Sequence, residues 1–331
     1  MSAGVTPDTG TVASGSRRSA AATLWAMAWP QARKLAVLLF TISTVLFFLL
    51  RQAGDPAYVL GGATATPEQL DAIRQQYGLD RPLFVQYLGY LWSLLHLDFG
   101  ASLMSGDSAL QMVLARLPRT LQLALMAIGL SVAIAIPTGA WLGARPERPA
   151  RRFVSAIVFV LQGSPGFVLA LLFIQLFAVQ LLWLPSVGYS SSDWKTWVLP
   201  TLSLATFSAP SLTRIVAANV TEAMREDYIR TARAYGAPFG TLLWRHALPN
   251  ALLGAAALVG VQFAALLSGS AVIETIYGWP GLGSLLLESV QTLDFPVVQA
   301  EVFAIAILVF TVNLLTDALF RLLDPRTRRS G

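Results

Sequence analysis

Cysteine is absent from this chain of 331 residues, which excludes disulfides and thiolate metal sites and leaves the redox compartment open. Histidine occurs twice, at His96 and His246, on opposite sides of the membrane in the topology derived below. No metal-ligand cluster can therefore be assembled from the usual nitrogen and sulfur donors. Lysine is also scarce, with Lys34 and Lys195 the two among 23 basic residues. Neither follows a glycine, so the G-x-x-x-x-G-K-[ST] loop that cradles phosphates is missing, and ATP hydrolysis by that machinery is excluded. There is no G-x-S-x-G, and no histidine inside an apolar run to activate Ser164, Ser268 or Ser270, which argues against an intramembrane hydrolase. No catalytic residue, metal or cofactor is expected.

Charge is scarce too, at 12% of residues against 55% hydrophobic. With a mean hydropathy of +0.61, the chain is too apolar for a soluble domain of its length. A net charge of +5 could suggest a nucleic-acid partner, but the arginines gather in short loops between apolar runs, where membrane topology places them. The expected fold is an all-α integral membrane protein. Its first span covers 35–50, extendable to 53 with Arg51 snorkelling towards the interface. Five more apolar runs follow at 121–142, 153–184, 197–218, 251–273 and 297–319, each longer than the ~20 residues that cross the hydrocarbon core. Six transmembrane helices result. The run at 153–184 is overlong and interrupted by Gly163-Ser164-Pro165-Gly166, which predicts a kink or break, because proline withdraws a backbone hydrogen bond.

Residues 1–34, rich in Ser, Thr, Ala and Gly, read as a disordered cytoplasmic tail. Arg17-Arg18 precedes the first span, but no small-residue cleavage site follows, so 35–53 reads as a signal anchor. Residues 54–119 form a polar insert of helices outside the membrane. Thr66-Pro67-Glu68-Gln69 is a capping box with proline at the first helical position, followed by Leu70, Ile73 and Tyr77 at helical spacing and a stop at Gly78. Pro82 opens a second helix with the stripe Phe84, Leu88, Leu91 and Leu95. Residues 120–321 make a five-helix core containing the loop 222–249, and 322–331 a second cytoplasmic tail. Seventeen basic residues fall in 1–34, the loops at 143–152 and 214–250 and the segment from Arg321 onward, against six in the alternate segments. The positive-inside rule then puts both termini and the 222–249 loop in the cytoplasm.

That loop is a polar island between two apolar spans. Its charges alternate in sign, Glu226 stands four residues before Arg230, and Tyr228, Ile229, Ala232 and Tyr235 recur at helical spacing, which predicts a short amphipathic helix. Gly236 supplies a left-handed stop, and Pro238 opens a second helix with Phe239, Leu242 and Leu243 as its apolar face, before Pro249 restarts the chain into the next span.

The island resembles the cytoplasmic loop of ABC importer permeases, whose signature is E-A-A-x-x-x-G, nine residues, then I-x-L-P. Here it reads Arg230-Thr231-Ala232, three residues, Gly236, nine residues, His246-Ala247-Leu248-Pro249. Arg230, Thr231 and His246 depart from the general signature and resemble instead the peptide and nickel branch, where Y-[IV]-R-T-A-R-A-x-G is usual. Gly54-Asp55-Pro56, Tyr77-Gly78-Leu79-Asp80-Arg81-Pro82 and Leu97-Asp98-Phe99-Gly100 are similar to the insert of peptide-type permeases. In the last outer loop, Glu274-Thr275-Ile276-Tyr277-Gly278-Trp279-Pro280-Gly281-Leu282-Gly283 resembles a further pattern of the same branch. The resemblance runs from residue 35 onward.

Membership would make the island a coupling helix that docks in a groove of an ATPase, with Glu226, Asp227, Tyr228, Thr231, Ala232, Arg233, Ala234 and Gly236 carrying the contact. In the outer loop Glu274, Tyr277, Gly278, Trp279, Pro280, Gly281 and Gly283 are either a re-entrant turn that packs the bundle or a gating, substrate-facing element. The implied partners are a second permease subunit, two cytoplasmic ABC ATPase subunits and an extracytoplasmic solute-binding protein, in a bacterial or archaeal inner membrane. The implied cargo is a di- or oligopeptide, with nickel, glutathione or another small solute as alternatives. A secondary transporter would need an ion-coupling device, usually buried acids, and the spans offer only Glu301 and Asp317, both near ends.

Overall fold

The computed structural model describes residues 20–62, 64–144 and 149–323. The chain begins with α1 (Ala20–Ala53), whose apolar part runs from Trp29 to Ala53. Helix over 20–34 replaces the expected tail there, and the remainder of that tail lies outside the described residues.

The insert starts with α2 (Pro56–Gly61), N-capped by the Asp55 side chain, and α3 (Pro67–Gln76). Thr66 and Gln69 make the reciprocal capping box, and Gly78 takes the left-handed conformation at φ 66°. Arg74 ties the two helices together, reaching Asp55 at 2.8 Å and Asp71 at 2.7 Å. Next comes α4 (Leu83–Leu95), which has no charged residue and none buried. Of its expected stripe, Phe84, Leu88 and Leu95 are exposed and Leu91 is half-buried. The stripe does not form the core of a separate subdomain; instead Tyr87, Tyr90 and Gln86 attach the opposite side of the helix to α1.

The insert ends earlier than expected, because α5 runs from Ala109 to Ala144 and absorbs 109–119 as well as the 121–142 run. Pro118 and Pro137 lie inside it. The break at Gly163-Ser164-Pro165-Gly166 is present: α6 (Pro149–Gly163) and α7 (Gly166–Phe173, continued in a π register over Ile174–Gln180) meet at 108°. They form a broken span or a re-entrant pair in place of one continuous span. Next in the chain is α8 (Lys195–Ala223), the most buried helix of the bundle, which packs along α5. Gly139 and Gly143 permit that approach. A Cβ on Gly139 would stand 2.7 Å from Val216, and one on Gly143 would stand 2.5 Å from the carbonyl oxygen of Ala217. Small residues four apart allow this close helix contact in a membrane, where no hydrophobic effect drives helices together.

Within the island, α9 (Asp227–Ala234) and α10 (Phe239–Thr241, continued in a π register over Leu242–Ala247) lead into α11 (Leu248–Gly269). Pro249 does not restart the chain. It cannot donate to the Arg245 carbonyl, and the widened π register carries the helix past it, giving one apolar helix from Phe239 to Gly269. The chain closes with α12 (Ala271–Tyr277), α13 (Leu282–Gln291) and α14 (Phe295–Leu323).

Among the described residues, four helices are long and apolar enough to cross a membrane, and five if the bent pair is one span. The expected sixth span, 197–218, falls within α8, which has the length at 29 residues but interrupts its apolar stretch with Ser, Thr and Arg214.

Candidate coupling surface and outer loop

One buried side chain anchors the island helix. Ile229 is fully buried and packs with Ala223, Leu242 and Ala247, with Ala232 half-buried beside it. Opposite Ile229, α9 is wet: Glu226, Asp227, Tyr228, Thr231, Arg233 and Ala234 are exposed. Tyr235, at the predicted apolar spacing, is 88% exposed and does not belong to the buried face. Arg230 pairs with Asp227 at 3.1 Å and not with the Glu226 side chain, whose residue instead begins the helix in an extended conformation. Asn250 on α11 donates to the Tyr228 hydroxyl at 3.4 Å, a long contact between the island and the next span.

Gly236 has φ 81°, and its amide donates to the Arg233 carbonyl while that of Ala237 reaches Ala232. A Cβ here would meet nothing within 4 Å, so the requirement for glycine is conformational and not steric. Leu242 and Leu243 are buried as the apolar face, whereas Phe239 is 37% exposed. An open groove lined by Arg151, Thr221, Glu222, Arg225, Glu226 and Asp227 runs beside the start of α9.

At the other end of the bundle Glu274 is buried and fully engaged. Its carboxylate accepts from the hydroxyls of Thr120 and Ser270, each at 2.9 Å, and from the Ser284 amide at 3.0 Å. Thr120 Oγ1 in turn accepts from the Leu282 amide at 2.7 Å. One carboxylate thus joins α5, the end of α11 and the start of α13. Burial pushes its proton affinity up, and these hydrogen bonds pull the other way.

Gly278 turns the chain in the left-handed conformation at φ 63°. Trp279, 1% exposed, donates from Nε1 to the Arg119 carbonyl at 3.1 Å and meets Tyr189 edge to face, with Arg119 also donating to the Tyr189 hydroxyl. The Tyr277 hydroxyl lies between Ser203 and the Ala170 carbonyl, at 2.9 and 3.0 Å. Gly281 sits against Glu274 and Thr120, and Gly283 against Ala271, so tightly that neither position has room for a Cβ. Pro280 is half-buried and Gly278 exposed. Sequence reasoning missed Thr120, Ser270 and Ser284, the partners that engage Glu274. It also placed Glu301 near a helix end without seeing that it is fully buried, with neither oxygen hydrogen-bonded.

This architecture has matches among known proteins. The family model "Binding-protein-dependent transport system inner membrane component" matches residues 135–329, and its companion for the N-terminal part of such membrane components matches 31–124. The chain belongs to the inner-membrane permeases of ABC importers. This permease is 36% identical over 296 residues to the glutathione transport system permease protein GsiC of Escherichia coli K12, covering 88% of this chain and 94% of that one. Its identity to GsiC of Salmonella choleraesuis is 36% over 299 residues, covering 89% and 95%. In fold the permease is similar to a chain of the MetNI methionine ABC transporter in an inward-facing conformation, with a TM-score of 0.53, 20% identity and coverage of 65% of this chain and 97% of that one. Membership implies ATPase and binding-protein partners and an inner-membrane location.

Proposed function

We propose that this permease lines a translocation pathway for di- or oligopeptides, alternating between outward and inward openings under the drive of separate ATPase subunits that dock on residues 222–249. A second permease subunit, two cytoplasmic ATPases and an extracytoplasmic solute-binding protein complete the assembly. Both termini and the island face the cytoplasm, following the asymmetry in basic residues.

The observation that carries this reading is the form of α9. A polar, exposed face is anchored to the bundle by a buried isoleucine and closed by a left-handed glycine, so a push on that face reaches the spans through few contacts. Glutathione is the second reading for cargo. It is itself a tripeptide, and the relatives at 36% identity are named for its transport.

The test compares Gly236→Val with Thr241→Ala in the assembled complex, measuring uptake, ATPase turnover and co-purification of the ATPase. Valine at φ 81° carries a strain of roughly 1–2 kcal/mol and turns the second helix away from the first. Gly236→Val is expected to insert normally but to lose ATPase docking or the link between turnover and transport, while Thr241→Ala stays near wild type. Wild-type transport with normal assembly in Gly236→Val would remove the island from the coupling role. Cargo is read separately, from the ligand retained by the purified binding-protein partner.

A further inference from the structure

The sequence of α4, LFVQYLGYLWSLL, carries no charge over 13 residues, yet none of its residues is buried by protein. Its length of about 20 Å is too short for the ~30 Å hydrocarbon core. A helix whose uncovered surface is apolar is stable where that surface is met by protein or lipid.

One side is occupied by α1. Gln86 Oε1 accepts from Arg51 Nε and Nη2 at 3.0 and 2.6 Å. The Tyr87 hydroxyl lies 2.8 Å from that of Thr44, and the Tyr90 ring stacks on Phe47 at 5.5 Å. Arg51, Phe47 and Thr44 step down α1 from its outer end, with Thr44 about 13 Å below Ala53. Thus α4 descends beside the outer half of a membrane span. Further along, Leu94 packs against the cluster of Phe99, Val297 and Ala300.

The other side carries Phe84, Leu88, Trp92 and Leu95, respectively 69%, 49%, 67% and 78% exposed. Their spacing of four, four and three puts them on one stripe. The exposed surface continues onto α1 through Phe48, whose ring is 5.6 Å from Tyr87. The nearest formal charges in sequence, Asp80, Arg81 and Asp98, lie beyond the two ends of the helix. Helix interfaces in membranes favour small side chains that let backbones approach, and this stripe has none.

We propose that α4 is embedded in the outer leaflet, with the Phe84–Leu88–Trp92–Leu95 stripe lying against lipid acyl chains. The first span is thereby widened into a two-helix wedge, and the insert is anchored in the bilayer at one end and not suspended above it.

Because the chain has no cysteine, introduced cysteines are unique labelling sites. Phe84→Cys, Leu88→Cys and Trp92→Cys are spin-labelled one at a time in the full chain, purified with whatever subunits accompany it and reconstituted in phosphatidylcholine vesicles. Collision with oxygen and with a water-soluble nickel chelate is measured by electron paramagnetic resonance. Phe48→Cys is the lipid reference, and Tyr77→Cys, exposed just beyond the end of α3, is the aqueous one. Embedding predicts high oxygen and low nickel accessibility at all three sites, matching Phe48→Cys and several-fold below Tyr77→Cys for nickel. Nickel accessibility equal to that at Tyr77→Cys overturns the proposal in favour of an aqueous, protein-docking face. Low accessibility to both reagents overturns it in favour of a surface covered by a second chain.

Discussion

Glu274 and Glu301 are both fully buried at the end of the bundle away from the island, but their surroundings differ. Glu274 accepts hydrogen bonds from Thr120, Ser270 and the Ser284 amide, whereas among the described residues neither oxygen of Glu301 has a hydrogen-bond partner of normal geometry, the Leu286 backbone and the Arg116 charge being among its polar neighbours. Removing a carboxylate that satisfies buried donors strands those donors, at about 1–3 kcal/mol each, while replacing an unpaired polar group by an apolar one of similar shape is close to neutral. Glu274→Ala is therefore expected to lower the thermal midpoint of the detergent-solubilised protein by several degrees, and Glu301→Met to leave it unchanged or raise it. Fluorescence-detected melting of the two variants checks this. A drop in Glu301→Met as large as that in Glu274→Ala would mean that the Glu301 carboxyl engages a group essential to the fold.

Among the elements, α9 and the α5–α8 pair depend on few contacts of high consequence. Ile229→Ala removes the buried anchor of the island, a change that typically weakens a site by about 2–5 kcal/mol. The expected outcome is faster proteolytic cleavage within 226–238 with the spans intact, and unchanged cleavage would contradict the anchoring role. At the helix crossing, Gly143→Leu is expected to lower the melting midpoint sharply, since overpacking costs about 1–3 kcal/mol or more. Gly129→Leu, on the same helix with nothing within 4 Å of its Cβ position, is expected to be tolerated.

How far such elements could be read from the residues depended on whether their signal was local. The Thr66–Gln69 box, the Gly236 stop and the break at Gly163–Gly166 are set by side chains within a few residues, and all three stand in the structure. The 121–142 run does not reveal that α5 begins at Ala109, because Arg116 and Arg119 end the apolar stretch while the helix continues through them. Periodicity marked a stripe on α4 but not what faces it, and nothing local to Glu274 pointed to Thr120, 154 positions away.

For the whole molecule the central expectation is orientation. Cysteines placed at Gln75 and Gln291 should react with an impermeant maleimide from outside intact cells, and those at Tyr235 and Gly240 only after the membrane is opened. Labelling of Tyr235→Cys from outside would invert the topology and remove the island from any ATPase. The unbroken helix from Phe239 to Gly269, 31 residues long, makes that topology mechanical. At 1.5 Å per residue it is a rod of about 46 Å, and a tilt of about 5° at its inner end displaces the outer end by about 4 Å. Glu274, one helical turn beyond that end, accepts from Thr120 on α5 at 2.9 Å, a bond that cannot stretch so far. A rotation of the rod too small to disturb packing near its pivot would thus have to break the Thr120–Glu274 bond or carry α5 along with it.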